Sequence, residues 1–263
     1  MAAEPDLTPP GYAAGVIHMH SDYSHDGHDS LEQLRDVCVE RKIRFVGMTD
    51  HAEDFIPEVF SEFVQHCDAI STPEVEFIPG LEFRFAGYKG MHLLALGLRE
   101  WIEPRTPEDF CAMTRDRARF TVLAHPVLCK YRIAPCILEH VDAIEVWNGN
   151  YNTRYLPDPR SIEIVHDLRT RRPNVVATVG LDQHNSQNDR ELRTLIDPAE
   201  LTDPLAALKG GRFTNLGRNR RFDAHATLAP GAMRRLKIAR TGLDMVNQLH
   251  ERTIRTLRRI GIA

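Results

Sequence analysis

The chain has 263 residues, of which 42% are hydrophobic, 7% aromatic and 27% charged; this balance excludes a disordered chain and a membrane-embedded one. Its length holds one large α/β barrel or two modest domains. The formal charge of −4 is unevenly spread: residues 201–263 carry thirteen Lys and Arg against four Asp and Glu, which leaves −13 on residues 1–200. An acidic body suits cation binding, and the basic end suits either an anionic substrate or a solvated helix face.

In chain order, residues 1–14 read as a flexible, Pro-rich N-terminal tail with neither the basic start nor the apolar centre of a signal peptide. No apolar run approaches the ~18 residues of a membrane span, so an intracellular, cytoplasmic protein with no membrane partner is expected. Seven short apolar runs read as buried strands: VIHMH (16–20), FVGMTDH (45–51), VEFIPGLE (75–82), HLLALGL (92–98), TVLAHP (121–126), AIEVWN (143–148) and VVATVGLD (175–182). Between them, Ser30 with Gln33 forms a capping-box pattern opening a helix to about Lys42. Thr106-Pro107-Glu108-Asp109 marks a second helix start, and a third helix spans Ser161 to Arg172, stopped by Pro173. Strands alternating with helices imply a parallel α/β fold, and seven strands favour a closed barrel, over residues 15–210, above an open sheet. Residues 211–263 read as a basic, helical C-terminal appendage packed on the barrel. Its helix from about Ala232 to Arg259 carries Leu236, Leu243, Met245, Val246, Leu249 and Ile254 on an apolar face. The sequence assigns no oligomeric state. The five cysteines, Cys38, Cys67, Cys111, Cys129 and Cys136, are odd in number and lack CxxC spacing, as expected of unpaired thiols in a reducing compartment.

The chemistry lies at the strand ends. His18 and His20 end the first strand, Asp50 and His51 the second, Glu82 the third and His125 the fifth; Glu145 lies in the sixth with Asn148 at its end, and Asp182 and His184 close the seventh. His92 is the exception, heading its strand. Residues two apart on a strand share a face, so His18 with His20, and Asp182 with His184, each aim two donors at one place. The C-terminal ends of parallel strands converge on one rim. Taken singly, His92 or His125 fits a hydrogen-bonded core histidine equally well, Glu82 a solvent-facing side chain and Asp50 a helix cap. Together, six histidines and several carboxylates at strand ends are too costly to bury without cations. Imidazole and carboxylate donors without thiolate suit zinc, manganese or iron, and their number exceeds the need of one ion.

The full pattern resembles the PHP (polymerase and histidinol phosphatase) superfamily. The resemblance runs from His18-Met19-His20 through Ser24-His25-Asp26-Gly27, Thr49-Asp50-His51, Gly80-Leu81-Glu82, His92, Ala124-His125-Pro126 and Asp182-Gln183-His184. It implies a distorted seven-stranded (β/α) barrel. It also implies that His18, His20, Glu82 and Asp182 bind one metal, that Glu82 bridges to a second held by His92 and His125, and that Asp26, His51 and His184 hold a third, with His25 the alternative to Asp26. Asp50 is then expected behind the ligands, orienting an imidazole. The resemblance further implies a phosphoesterase with two or three divalent ions, in which a shared, acidified water attacks phosphorus in line and the Asp26, His51 and His184 assembly serves the leaving alkoxide.

Phosphate clamps are sought among the cations that follow strand ends: Arg84, Lys130, Arg132, Arg154 and Arg218, with ordinary surface charge the alternative for each. A small phosphorylated substrate leads, because the chain is short for a polymerase and shows no large insertion between Glu82 and His125 that could cap a nucleotide. Three other readings stay open. A nucleotide or oligonucleotide phosphoesterase or exonuclease would use the basic end, where Phe213 and Phe222 are available to stack bases. An amidohydrolase-like enzyme would cleave C–N or C–O bonds, although such enzymes commonly bridge their metals with lysine. A non-catalytic PHP-like interaction module would be expected to have lost ligands.

Overall fold

A computed structural model describes residues 8–153, 155–188, 190–218 and 220–259, with the side chains of residue 188 and of residues 247–259 excepted. The tail at 1–7, Arg154, and the side chains of Leu249 and Ile254 therefore lie outside the described residues. Clustering of contacts divides the chain into two units, residues 1–226 and residues 227–263. Within the second, the helix α7 runs Pro230–Arg259, with Arg240 and Asp244 paired at 3.0 Å one turn apart. Among the described residues, no helix is long and apolar enough to cross a membrane.

Among the described residues, the first unit holds twelve strands: β1 (Ala13–Met19), β2 (Ile43–Met48), β3 (Asp50–His51), β4 (Glu76–Ile78), β5 (Gly80–Arg84), β6 (His92–Leu96), β7 (Phe120–Ala124), β8 (Ala143–Asn148), β9 (Val176–Gly180), β10 (Arg193–Ile196), β11 (Thr214–Gly217) and β12 (Arg220–Asp223). The helices are α1 (Leu31–Glu40), α2 (Pro57–Ile70), α3 (Pro107–Thr114), α4 (Pro135–His140), α5 (Pro159–Arg169) and α6 (Pro204–Lys209). Ser30 caps α1 reciprocally with Gln33, and Thr106 caps α3 with Asp109, as their spacing predicts. α5 starts earlier than Ser161 because Asp158 caps it and Pro159 takes its first turn.

The strands form two six-stranded mixed sheets, ordered β12-β11-β10-β1-β2-β4 and β3-β5-β6-β7-β8-β9. This departs from one set of seven parallel strands in three ways. Two of the expected strands are each split between the sheets, the chain leaving the first sheet at Thr49 and at Pro79; a proline cannot donate a ladder bond. β6 pairs antiparallel with both β5 and β7, since the short segment 85–91 joining β5 to β6 leaves no room for a parallel crossover of a dozen residues or more. Residues 214–223, within the segment expected to be a C-terminal appendage, instead pair as β11 and β12 onto β10, and β1 begins at Ala13, inside the stretch expected to be tail.

The sheets share one core, in which Ile17 and Phe45 of the first pack in a cluster with Leu94, Val122 and Val176 of the second. Backbone bonds also join them: Leu181 N–H donates to the Ile17 carbonyl at 3.1 Å, Asp182 N–H to His18 at 2.7 Å and His20 N–H to Gln183 at 3.0 Å.

Candidate metal centre

His18 and His20 lie at the end of β1, His51 in β3, Glu82 in β5, His125 just after β7, and Asp182 and His184 just after β9. The reversal of β6 explains why His92 heads its strand: running opposite to its neighbours, β6 brings its first residue to the rim where they end. Its register confirms this, with His92 opposite Arg84 of β5 and Ala124 of β7. Asp26 arrives on the loop between β1 and α1.

Glu82 is buried at the middle of five imidazoles. Its Oε1 is 2.7 Å from His92 Nδ1, 3.1 Å from His125 Nε2 and 3.5 Å from His18 Nε2. Its Oε2 is 3.2 Å from His51 Nδ1 and 3.5 Å from His20 Nε2. Asp182 Oδ1 lies 3.5 Å from His18 Nε2 and 3.7 Å from His20 Nε2. Asp26 Oδ2 lies 3.3 Å from His51 Nε2 and 3.4 Å from His184 Nε2. Donor atoms fall within 4.8 Å of one another in three overlapping groups: His18, Glu82 and His125; His18, His20 and Asp182; and His20, Asp26, His51 and His184. His92 joins none of these groups and meets the cluster through Glu82 and through its ring, 4.8 Å edge-on from that of His125. His25, the alternative to Asp26, turns outward to Asp54 at 2.8 Å.

Do these residues fit cations? His18 Nε2, His20 Nε2, His51 Nδ1, Asp26 Oδ1 and Asp182 Oδ2 are buried without a hydrogen-bond partner. Leaving one such atom unsatisfied costs ~1–3 kcal/mol, so five in one cluster suit a ligand that accepts lone pairs. His18, His125 and Asp182 also have positive φ, at 70°, 26° and 51°, a conformation that costs a non-glycine residue of order 1–3 kcal/mol and clusters at ligand sites. The donor set suits zinc, manganese or iron.

The titration behaviour reflects the crowding of carboxylates and imidazoles. Burial disfavours the charged form of His18, but Glu145, Asp182 and Glu82 together outweigh it and hold the ring well above the usual histidine range. Burial pulls His20 well below that range, with Glu82 opposing and the neighbouring rings of His18, His184 and His51 assisting. Burial also lowers His92. Glu82 stays well below the usual carboxylate range despite burial, because His18, His125 and His51 surround it.

Two residues behind the cluster were not foreseen as site residues. Glu145, fully buried in β8, lies 2.7 Å from His18 Nδ1 and accepts the His125 backbone N–H at 2.9 Å and the Asn148 amide at 3.0 Å. It leaves His18 Nε2 free to face Glu82 and Asp182, the carboxylate–imidazole arrangement common behind metal ligands. Its sequence signal is a carboxylate inside an otherwise apolar strand. Tyr151 holds its ring 4.6 Å from that of His125, tilted by 51°, while remaining 39% exposed.

Asp50, expected to orient an imidazole, instead accepts the Ser21 backbone N–H at 2.7 Å, the Ser21 hydroxyl and, at 2.8 Å, the Ser24 hydroxyl. Ser24 Oγ in turn accepts the His51 backbone N–H at 2.8 Å, so Asp50 acts one step further back. Burial pushes its carboxyl up to about 7. The candidate clamps lie elsewhere. Arg84 pairs with Glu53, and Arg218 pairs with Glu191 at 3.4 Å beside the Tyr155 ring. Lys130 and Arg132 line a separate surface cavity.

The model of the PHP domain matches residues 17–151. Among solved structures, PsfC from Pseudomonas syringae aligns with a TM-score of 0.50 at 15% identity, covering 89% of this chain and 99% of that one, a likeness of fold alone. An amidohydrolase from Chromobacterium violaceum, solved with bound sulfate and no metal, aligns with a TM-score of 0.44 at 14% identity over 75% of this chain and 96% of that one. No curated protein matches.

Proposed function

This chain belongs to the PHP domain family, and from that premise we propose that it is a metal-dependent phosphoesterase acting on a small phosphomonoester. The observation that carries the reading is the Glu82 carboxylate ringed by five imidazoles, with unsatisfied donor atoms on His18, His20, His51 and Asp182 around it. In this reading His18, His20, Glu82 and Asp182 hold one ion, His92 and His125 share Glu82 with a second, and Asp26, His51 and His184 hold a third. The backbone bonds between β1 and the segment after β9, with the shared core, support taking the two sheets as one distorted seven-stranded barrel whose rim carries the cluster.

Divalent ions bound here supply an acidified water and neutralise the non-bridging phosphate oxygens. The chain's own residues set the geometry. Glu145 fixes the tilt of His18 and the backbone of His125, and Asp50 with Ser24 fixes the backbone of His51. The Asp26 side chain is 44% exposed and that of His184 23%, against 6% or less for His18, His20, His51 and His125. They stand on the open side, where the leaving alkoxide departs and takes up a proton.

The test is phosphate release by purified protein with manganese or zinc across sugar phosphates, amino-alcohol phosphates, nucleotides and short oligonucleotides, beside His18→Ala and Asp182→Ala. Metal-dependent release on small monoesters, lost in both variants, is expected. Release confined to oligonucleotides would move the assignment to a nuclease, and silence across the panel with metals bound would overturn phosphoester cleavage in favour of C–N or C–O hydrolysis.

A further inference from the structure

Lys89, Lys130 and Arg132 line one surface cavity of about 610 Å³, floored by Leu128 and Ile133. Among the described residues no Asp or Glu lines it, and none of its three cations makes an ion pair. Several basic side chains elsewhere in the same unit are matched, among them Arg99 with Asp68, Arg119 with Asp203, Arg171 with Glu139 and Arg212 with Glu200. Three like charges gathered around one concavity, on a body that is otherwise acidic, repel one another unless an anion joins them.

The backbone under these charges is held in a disfavoured form. Lys130 and Tyr131 are consecutive left-handed residues, with φ of 52° and 59°, and neither is glycine. The coil is kept by bonds from Lys130 N–H to Val127 at 3.1 Å, Tyr131 N–H to Pro126 at 3.0 Å and Arg132 N–H to Cys129 at 3.0 Å, with the Tyr131 hydroxyl on Asp158 at 2.8 Å. Those contacts fix the backbone that carries Lys130 and Arg132, and strain of this kind clusters at ligand sites.

Both walls of the cavity lead directly into the metal centre. Leu128 N–H donates to the His125 carbonyl at 2.9 Å, and Lys89 stands three residues before His92. Yet none of the proposed metal ligands lines the cavity, so an anion held there is not the one being cleaved. Resting on the phosphoesterase reading above, we propose that Lys89, Lys130 and Arg132 form a second anion subsite, and that the substrate carries a further phosphate besides the scissile one. Two lysines and a guanidinium match a dianion better than a single carboxylate, and the guanidinium supplies the planar, two-pronged contact a phosphate accepts.

The test uses the full chain loaded with manganese and alkanediol bisphosphates of about two to six carbons against the matching alkyl monophosphates. Wild type is compared with Lys89→Gln/Lys130→Gln/Arg132→Gln, and with Lys89→Gln/Arg132→Gln, which spares the left-handed pair should the triple variant fail to fold. Wild type is expected to favour at least one bisphosphate at least tenfold in kcat/KM, with the preference falling towards unity in the variants. No preference in wild type, or the same preference in a folded variant, overturns the subsite. If neither ester type turns over, it is the phosphoesterase reading that fails; calorimetric binding of inorganic pyrophosphate to the same proteins then decides the subsite. A Kd at least tenfold weaker in the variants upholds it, and equal Kd values overturn it.

Discussion

Glu145 touches no solvent and belongs to none of the three donor groups, yet one oxygen meets His18 Nδ1 and the other accepts the backbone of His125. Neutralising such a partner without changing its shape costs roughly 10–100-fold in metal affinity. Glu145→Gln is therefore expected to weaken manganese or zinc binding by that factor while far-UV dichroism stays unchanged; equal affinity in a chelator competition would remove its role. Gly180 supplies an independent test, because a methyl group there would overlap the Glu145 carboxylate. Gly180→Ala should weaken metal binding in the same direction, and the double variant should be little worse than the poorer single one, since both act through one carboxylate. The cysteines make a separate residue-scale case. None of the five is disulfide-bonded; burial raises Cys67, Cys129 and Cys136, and pushes Cys111 up to about 12. Because the thiolate is the reacting form, these four are expected to resist iodoacetamide at pH 8 in the native protein and to react on unfolding. Rapid native labelling of Cys111 would contradict that environment.

At the scale of elements, the caps and the reversed strand matter most. Ser30 and Gln33 satisfy each other's backbone at the start of α1. Ser30→Ala is expected to cost about 1 kcal/mol, which for a unit of this size lowers Tm by roughly 2–4 °C in a thermal melt. The loss should shrink if Gln33→Ala is already present, because the two share one capping box. β6 shows where sequence patterns stop. Its apolar alternation identifies a buried strand correctly, but alternation has no sign and reads the same in either direction. Only its pairing with β5 and β7 reveals that His92, at the wrong end for a parallel strand, stands at the right rim.

For the whole molecule, the candidate ligands come from both sheets: His18 and His20 from the first, His51, Glu82, His92, His125 and Asp182 from the second or its exits. Cations bound among them would tie the sheets together. At a hundredfold excess over Kd, one site adds about 2.7 kcal/mol, so restoring manganese or zinc to chelator-treated protein should raise Tm by roughly 5–10 °C. A Tm indifferent to metal would argue against the cluster as a metal centre. The sequence by itself determined the candidate donors and their places at strand ends, the two capping boxes and the lack of CxxC spacing among the cysteines, because each rests on residue chemistry and spacing along a few neighbouring positions. It left Glu145 without a partner, placed Asp50 one contact too close to the imidazoles, and gave no sign of the two strands in residues 214–223. Those were decided only by tertiary structure. The neighbour a buried carboxylate meets, the direction in which a strand is paired and the sheet a short segment joins all depend on residues distant in the chain: Glu145 meets His18 across 127 positions.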